Sequence, residues 1–262
     1  MMDVQVKTMA EMAMNGEQPE VLFWVGCAGS FDDRYKKVTR SFVKILNHLN
    51  INFAVLGTEE ACTGDPARRA GNEFTFQMLA QQNIQVLNGY EIKKIVTACP
   101  HCFNTLKNEY PELGGNYDVI HHSEYLQDLI NSRKLKVSGG SFKGKKITYH
   151  DSCYLGRANE IYEAPRDVIQ ALDAELVEMK RCKTKGLCCG AGGAQMFKEP
   201  EKGNKDINVE RTEDAIETEA KTIAVACPFC MVMMSDGVKY KEKEHEIQVY
   251  DLAELLAESI QP

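Results

Sequence analysis

Nine of the ten cysteines in this 262-residue chain fall into one motif written twice. In the second half it runs Cys153, then Cys188-Cys189-Gly190, then Cys227-Pro228-Phe229-Cys230; in the first half it runs Cys27, then Cys62-Thr63-Gly64, then Cys99-Pro100-His101-Cys102. The second cysteine follows the first by 35 positions in both halves. Thiolates are soft ligands that select zinc, Cu(I) or iron–sulfur clusters. Four of them suit a structural zinc or a [4Fe–4S] cube, and the first half offers four: Cys27, Cys62, Cys99 and Cys102. The second half offers five, Cys153, Cys188, Cys189, Cys227 and Cys230. The fifth exceeds what either group needs, which points to an expanded or irregular cluster, or to one cysteine left free for chemistry. Each CxxC pair supplies two ligands from a tight turn that Pro100 or Pro228 helps to fix. Gly64 and Gly190 let the backbone pass a bulky group with no Cβ in the way.

Thiols this far apart meet only if regular elements bring them to one place. Short apolar runs predict strands at Val21–Val25, Phe53–Leu56, Ile95–Ala98 and Tyr117–Ile120, then at Lys146–Tyr149, Glu175–Glu178, Ile223–Ala226 and Gln248–Tyr250. Helical spacing falls between them: Tyr35–Asn50, Asp65 through Leu79, Ser123 through Ile130, Pro165–Leu172, Val209–Ala220, and a terminal helix begun by Asp251. This alternation predicts an α/β fold of two pseudo-symmetric Rossmann-like units with mostly parallel sheets. The metal sites then belong at the strand C-terminal ends, where such sheets collect functional groups. Residues 1–20 read as a flexible, Met-rich N-terminal segment, residues 21–137 as a first cysteine-rich domain and residues 145–262 as a second. The boundary falls near Asn131–Gly144, where Ser138-Gly-Gly-Ser141 and neighbouring lysines break the pattern. The long offset between the halves indicates domain duplication rather than a solenoid.

A chain of this length buries a core without disulfide staples. Met1 to Glu20 shows no apolar secretory stretch, and nowhere do about 18 apolar residues run together. The expected location is therefore cytoplasmic, where CxxC pairs read as metal-binding or catalytic rather than as disulfides. A net charge of −7 argues against a nucleic-acid partner. A thioredoxin-like reading leaves the long-range cysteines unexplained, whereas structural zinc stays open for the first site. Cys182, among charged residues, reads as incidental or as a thiol activated by neighbouring cations. His121, His122 and His150 read as packing histidines, with a proton-donating role beside the ligands as the alternative for His150. Arg68-Arg69 and Arg157 read as solvated charges or as holders of an anionic substrate or a partner's carboxylates. Ala191-Gly192-Gly193 is not a dinucleotide fingerprint, and Met231–Met234 reads as core or partner-contact surface. Neither a flavin or nicotinamide motif nor a ferredoxin-type cysteine run is present.

His150-Asp-Ser-Cys-Tyr-Leu-Gly-Arg157, Gly186-Leu-Cys-Cys-Gly-Ala-Gly-Gly193 and Cys227-Pro-Phe-Cys230 together resemble the cysteine-rich CCG domain of heterodisulfide reductase B/D-type subunits. The domain also occurs in iron–sulfur subunits of glycolate and lactate oxidation systems and of anaerobic glycerol-3-phosphate dehydrogenase. The resemblance covers Val21 to Glu258. It implies a noncubane [4Fe–4S] cluster on Cys153, Cys188, Cys189, Cys227 and Cys230. In heterodisulfide reductases two such clusters face each other and split a disulfide. Here Thr63 stands in place of the first half's second paired cysteine, so the first site is expected to hold an ordinary [4Fe–4S] cluster or zinc on its four thiolates. The function implied is that of an iron–sulfur oxidoreductase subunit passing electrons within a larger dehydrogenase or reductase complex. The alternatives are a catalytic heterodisulfide-type reductase subunit and a zinc-stabilised, non-catalytic interaction protein. The partners implied are a ferredoxin-type iron–sulfur subunit and a flavin dehydrogenase or quinone-reducing membrane subunit, which would hold this chain at the inner membrane without inserting it.

Overall fold

The computed structural model describes residues 5–138, 140–199 and 202–260. Residues 1–4 of the expected leader and Gly139 of the expected linker lie outside the described residues. The chain divides into two compact units between Tyr125 and Leu126.

The first unit is built on a five-stranded sheet in the order β1-β3-β2-β4-β5, with β1 at Lys7–Thr8, β2 at Val21–Trp24, β3 at Phe53–Val55, β4 at Lys94–Thr97 and β5 at Asp118–His121. The second carries four strands in the order β7-β6-β8-β9, with β6 at Lys146–Tyr149, β7 at Glu175–Leu176, β8 at Thr222–Val225 and β9 at Gln248–Asp251. Every pairing in both sheets is parallel. The order β3-β2-β4-β5 is therefore repeated as β7-β6-β8-β9, which is the duplication seen in the cysteines. Central strands β2 and β8 are buried along their whole length, as expected of parallel strands, which read as unbroken apolar runs.

All eight expected strands are present. The ninth, β1, was not foreseen. It pairs with β3 through Lys7↔Ala54 and Thr8↔Val55 and leads straight into a helix, Met9–Met14. Thr8 and Glu11 close a reciprocal capping box at the start of that helix, and Met9 and Met12, three residues apart, are fully buried. The Met-rich segment thus differs from a frayed leader because its methionines have a core to enter.

The helix expected from Asp65 through Leu79 is two helices, Asp65–Arg69 and Glu73–Gly89. Gly71, at φ +86, ends the first, and the Asn72 side chain accepts from Thr75 N at 3.0 Å to cap the second. The CxxC pairs also differ from tight turns. Cys99 and Cys227 are the N-caps of helices Pro100–Asn104 and Pro228–Tyr240. Proline at the first helical position has no N–H to lose and a φ already set for helix, so Pro100 and Pro228 start helices that carry Cys102 and Cys230. Helices Ile207–Ile216 and Pro228–Tyr240 pack closely, since a Cβ at Gly237 would lie 2.0 Å from Thr212 Oγ1. Met231 and Met234 are buried on the second of them. No helix among the described residues is long and apolar enough to cross a membrane.

Candidate metal centres

In the first unit, Cys27 lies three residues past β2 on a short helix, Gly26–Phe31. Cys62 lies in the loop after β3, and Cys99 and Cys102 follow β4. All four sit beyond strand C-terminal ends. Cys99 and Cys102 are buried, Cys62 is half-buried and Cys27 is exposed. Their thiols interact. Hydrogen bonding from Cys62 is the main influence lowering the Cys27 pKa, and hydrogen bonding with Cys99 is the main one raising Cys102, followed by burial and the charges of Cys99, Cys27 and Cys62. The described thiols are not cross-linked into disulfides.

The second unit repeats the arrangement. Cys153 follows β6, Cys188 and Cys189 follow β7, and Cys227 and Cys230 follow β8. Cys189, Cys227 and Cys230 are buried. Cys230 Sγ lies 3.5 Å from Cys189 Sγ. Hydrogen bonds from Cys153 and then Cys189 hold the Cys188 thiol far below its ordinary range, while the same bond to Cys188 and burial push Cys153 up. The thiols of this cluster thus interact with one another through their protons. A metal or cluster would displace those protons, because thiolates, not thiols, are ligands.

The correspondence extends to single atoms. Gly190 N donates to Cys188 Sγ at 3.3 Å, and Gly64 N donates to Cys62 Sγ at 3.5 Å. The two glycines have φ of +93 and +87, a left-handed conformation that L side chains avoid. At Gly64 a Cβ would also meet Phe76 at 2.9 Å. Where Cys189 meets Cys230 in the second centre, Thr63 Oγ1 approaches Cys102 Sγ at 3.9 Å in the first. Thr63 therefore occupies the place of a fifth thiol and supplies a hydroxyl in its stead.

Polar residues that the sequence pattern did not single out hold these loops. Glu60 accepts from Val25 N at 3.0 Å and Gly26 N at 2.6 Å, tying the Cys62 loop to the Cys27 helix. Burial pushes its carboxyl from the ordinary 4.5 up to about 7, against the two backbone hydrogen bonds and with help from the charge of Cys62. A carboxyl whose folded pKa is raised stabilises the fold at low pH and loses that contribution as pH climbs from 4.5 through about 7. Glu60→Gln, which cannot ionise, is therefore expected to gain about 3 kcal/mol over the parent between pH 4.5 and pH 8, at about 1.4 kcal/mol per pKa unit. Urea unfolding of both proteins at the two pH values measures this, and parallel curves would contradict it.

Asp65 accepts from Arg69 Nε at 3.0 Å and meets His101 Nδ1 at 2.9 Å. Burial opposes ionisation of Asp65, but His101 and Arg69 hold its carboxyl below the ordinary range. Arg68 pairs with Glu109 at 2.7 Å and stacks on Phe76, and Arg69 also meets Glu109. These arginines are thus engaged by carboxylates of the chain itself, unlike either reading given for them. In the second unit Asp151 accepts from Arg166 at 2.8 and 3.0 Å, Glu178 accepts from Arg166 at 2.6 and 2.9 Å, and Asp151 also accepts from Lys183 N at 2.7 Å. Asp151 so joins the Cys153 loop to the segment leading to Cys188. His150 is buried beside Cys189 and Cys230, with one ring nitrogen and the two sulfurs all within 4.8 Å of one another.

His121 and His122 are buried, bonded to Ser123 and to each other, and pack edge-on against Phe103 and Phe42. They are packing residues. Arg157 is exposed. The Cys182 thiol is raised by burial and by Glu178 and Asp151, so it is not an activated thiol. Convergent soft donors, left-handed glycines behind them and buried polar atoms around them fit a thiolate-bound metal or iron–sulfur group in each unit.

Two parallel sheets, each presenting a thiol cluster built from one repeated motif, define a duplicated cysteine-rich protein. The family model described as "Cysteine-rich domain" (CCG) matches residues 21–107 and 147–235, and the chain belongs to that family. Over 98% of its length it is 47% identical to a probable iron-sulfur-binding oxidoreductase, FadF, of Bacillus subtilis, of which it covers 36%. It is 46% identical to the EtfAB:quinone oxidoreductase of Syntrophomonas wolfei, over 92% of this chain and 34% of that protein. It is also 35% identical to a subunit of the dihydromethanophenazine:CoB–CoM heterodisulfide reductase of Methanosarcina barkeri, over 93% of this chain and 60% of that protein. The chain thus spans about a third of the first two relatives and three-fifths of the third.

Proposed function

We propose that this chain is an iron–sulfur oxidoreductase subunit that passes electrons within a larger dehydrogenase or reductase complex. The observation that carries the reading is the five-thiol second centre set against the four-thiol first centre, with Thr63 at the place of the missing sulfur. In this reading Cys153, Cys188, Cys189, Cys227 and Cys230 hold a noncubane [4Fe–4S] cluster, and Cys27, Cys62, Cys99 and Cys102 hold an ordinary [4Fe–4S] cluster or zinc. Such a cluster supplies reversible electron storage at a potential set by its surroundings. The chain's own part is to hold it between buried and half-exposed thiols, so that one side is shielded and the other is open to a partner. The inequality of the centres favours a relay over splitting a disulfide between two equal clusters. A ferredoxin-type subunit is the proposed donor or acceptor, with a flavin dehydrogenase or a quinone-reducing membrane subunit as a further partner and this chain on the cytoplasmic side; the relative named EtfAB:quinone oxidoreductase supports the quinone link. The domain limits that go with this reading are 21–137 and 145–262.

The test is the iron, zinc and acid-labile sulfide content of protein purified without oxygen. About eight iron without zinc means two four-iron clusters, and about four iron with one zinc means one cluster and one structural site. Zinc without sulfide would sink the redox reading and leave a zinc-stabilised interaction protein. Reduction of a disulfide by dithionite-reduced protein would favour the catalytic heterodisulfide-type reading over the relay.

A further inference from the structure

His150 is the first residue after β6 and is fully buried. Its Nδ1 accepts a hydrogen bond of 2.9 Å from Arg211 Nε, and Arg211 is fully buried too. A guanidinium has donors only, so Nδ1 must present its lone pair, and the ring proton must sit on Nε2. The imidazole is therefore held as a single neutral tautomer. Arg211 is itself fixed by donating Nη1 to the Arg181 carbonyl at 2.6 Å and to Asp214 Oδ2 at 3.2 Å.

His150 Nε2 finds no hydrogen-bond partner among the described residues, nor do the buried Arg211 Nη2 and Ser152 Oγ close by in sequence or contact. A buried donor without a partner costs about 1–3 kcal/mol and is uncommon in native proteins. What lies beside the His150 ring is the sulfur pair of Cys189 and Cys230. The ring cannot be a metal ligand there, since one nitrogen's lone pair is taken by Arg211 and the other nitrogen carries the proton. Resting on the iron–sulfur reading above, we propose that His150 donates its Nε2–H to a sulfur of the group at the second centre, and that Arg211 is the positioning residue that fixes it in the donating tautomer.

At the corresponding position of the first centre, the first residue after β2, stands Val25, whose side chain has no donor. Hydrogen bonds to cluster sulfurs are one of the determinants of reduction potential. A donor favours the more negative, reduced state, so His150 raises the potential of the second centre relative to the same thiolate set without it.

The test uses the whole chain, purified without oxygen, as parent, His150→Leu, His150→Gln and Arg211→Lys, with histidine labelled with 15N in the ring. Iron and sulfide are measured first, then the midpoint of the reduced second centre by EPR-monitored titration, then the 15N and exchangeable-proton couplings in the same samples. The parent is expected to show a weak 15N coupling and an exchangeable proton. Both vanish in His150→Leu, whose midpoint moves to more negative values while its iron and sulfide stay at parental amounts. His150→Gln, which keeps an N–H donor, recovers part of the shift. Arg211→Lys keeps the charge but removes the planar Nε–H, and it weakens the 15N coupling. A 15N coupling of the size of a direct iron–nitrogen bond, no coupling in the parent, or a midpoint unchanged in His150→Leu overturns the proposal. If His150→Leu loses its cluster, the parent couplings and the His150→Gln midpoint decide it. A parent with no iron and sulfide overturns the iron–sulfur reading and this proposal with it.

Discussion

Cys189→Ser is expected to empty or convert the second centre while leaving the first intact. Cys189 is the one thiol of the second unit's five-thiol set with no counterpart in the first set, and it is buried at 3% exposure, 3.5 Å from Cys230 Sγ. Serine is a harder and shorter donor than a thiolate and is protonated at neutral pH, so it does not replace a soft ligand. With two four-iron centres, the bound iron and sulfide should fall by about half; with zinc in the first centre, all sulfide should be lost or the cluster rebuilt on four thiolates. Either result appears as altered visible absorption and a changed or missing EPR signal. Cys182→Ser is the matched control. That thiol lies outside both sets, with a pKa raised by burial and by Glu178, and its loss should leave iron, sulfide and spectrum at parental values. A Cys189→Ser protein with the parental spectrum would show that Cys189 is not a ligand.

The convergence of the nine motif thiols into two clusters was legible because thiols are rare and their spacing repeats. The central strands were legible because parallel strands are buried along their length and so read as unbroken apolar runs such as Val21–Trp24 and Ile223–Ala226. What escaped has physical reasons of its own. Strand β1 is two residues long, too short for any period, although Thr8 and Glu11 at capping-box spacing before Met12 were a usable sign of the helix after it. The prolines of the two CxxC pairs were visible, but proline favours both turn and first-helical positions. The helix pattern beyond Cys230 settles the choice only when Met231 and Met234 are read as its buried face. The pairings Asp151–Arg166–Glu178 and His150–Arg211 join residues 12 to 61 positions apart. Their geometry depends on how the helices lie on the sheet, which no local pattern encodes. Arg68 and Arg69 are the reverse case: two adjacent charges that looked available are bound by Glu109 and Asp65, brought close by the fold.

The other large effect is expected at Arg166. Its side chain is 3% exposed, stacks over the Tyr149 ring at 5.3 Å, and makes paired hydrogen bonds to both Asp151 and Glu178. Burial works against its charge, yet the two carboxylates hold its pKa above the ordinary arginine value. Arg166→Met keeps much of the apolar stem but leaves Asp151, itself 6% exposed, as a buried carboxylate without its ion-pair partner. Removing one partner of a buried ion pair costs about 3–5 kcal/mol, because the remaining charge is stranded. Urea unfolding followed by far-UV circular dichroism, in reductant and at neutral pH, should show a midpoint lowered accordingly. Lys243→Met supplies the comparison. The Lys243–Glu246 pair is 39% and 49% exposed, and a surface pair of that kind contributes at most about 1 kcal/mol. The consequence for the second centre follows from Asp151. Its oxygens hold both Arg166 and Lys183 N, so once it turns away, the segment before Cys188 loses its tie to the Cys153 loop. Arg166→Met protein should therefore retain less iron at the second centre even at temperatures where it remains folded. A variant with the parental midpoint and full iron would mean that Asp151 finds other donors and that the network does not hold the cysteine loops together.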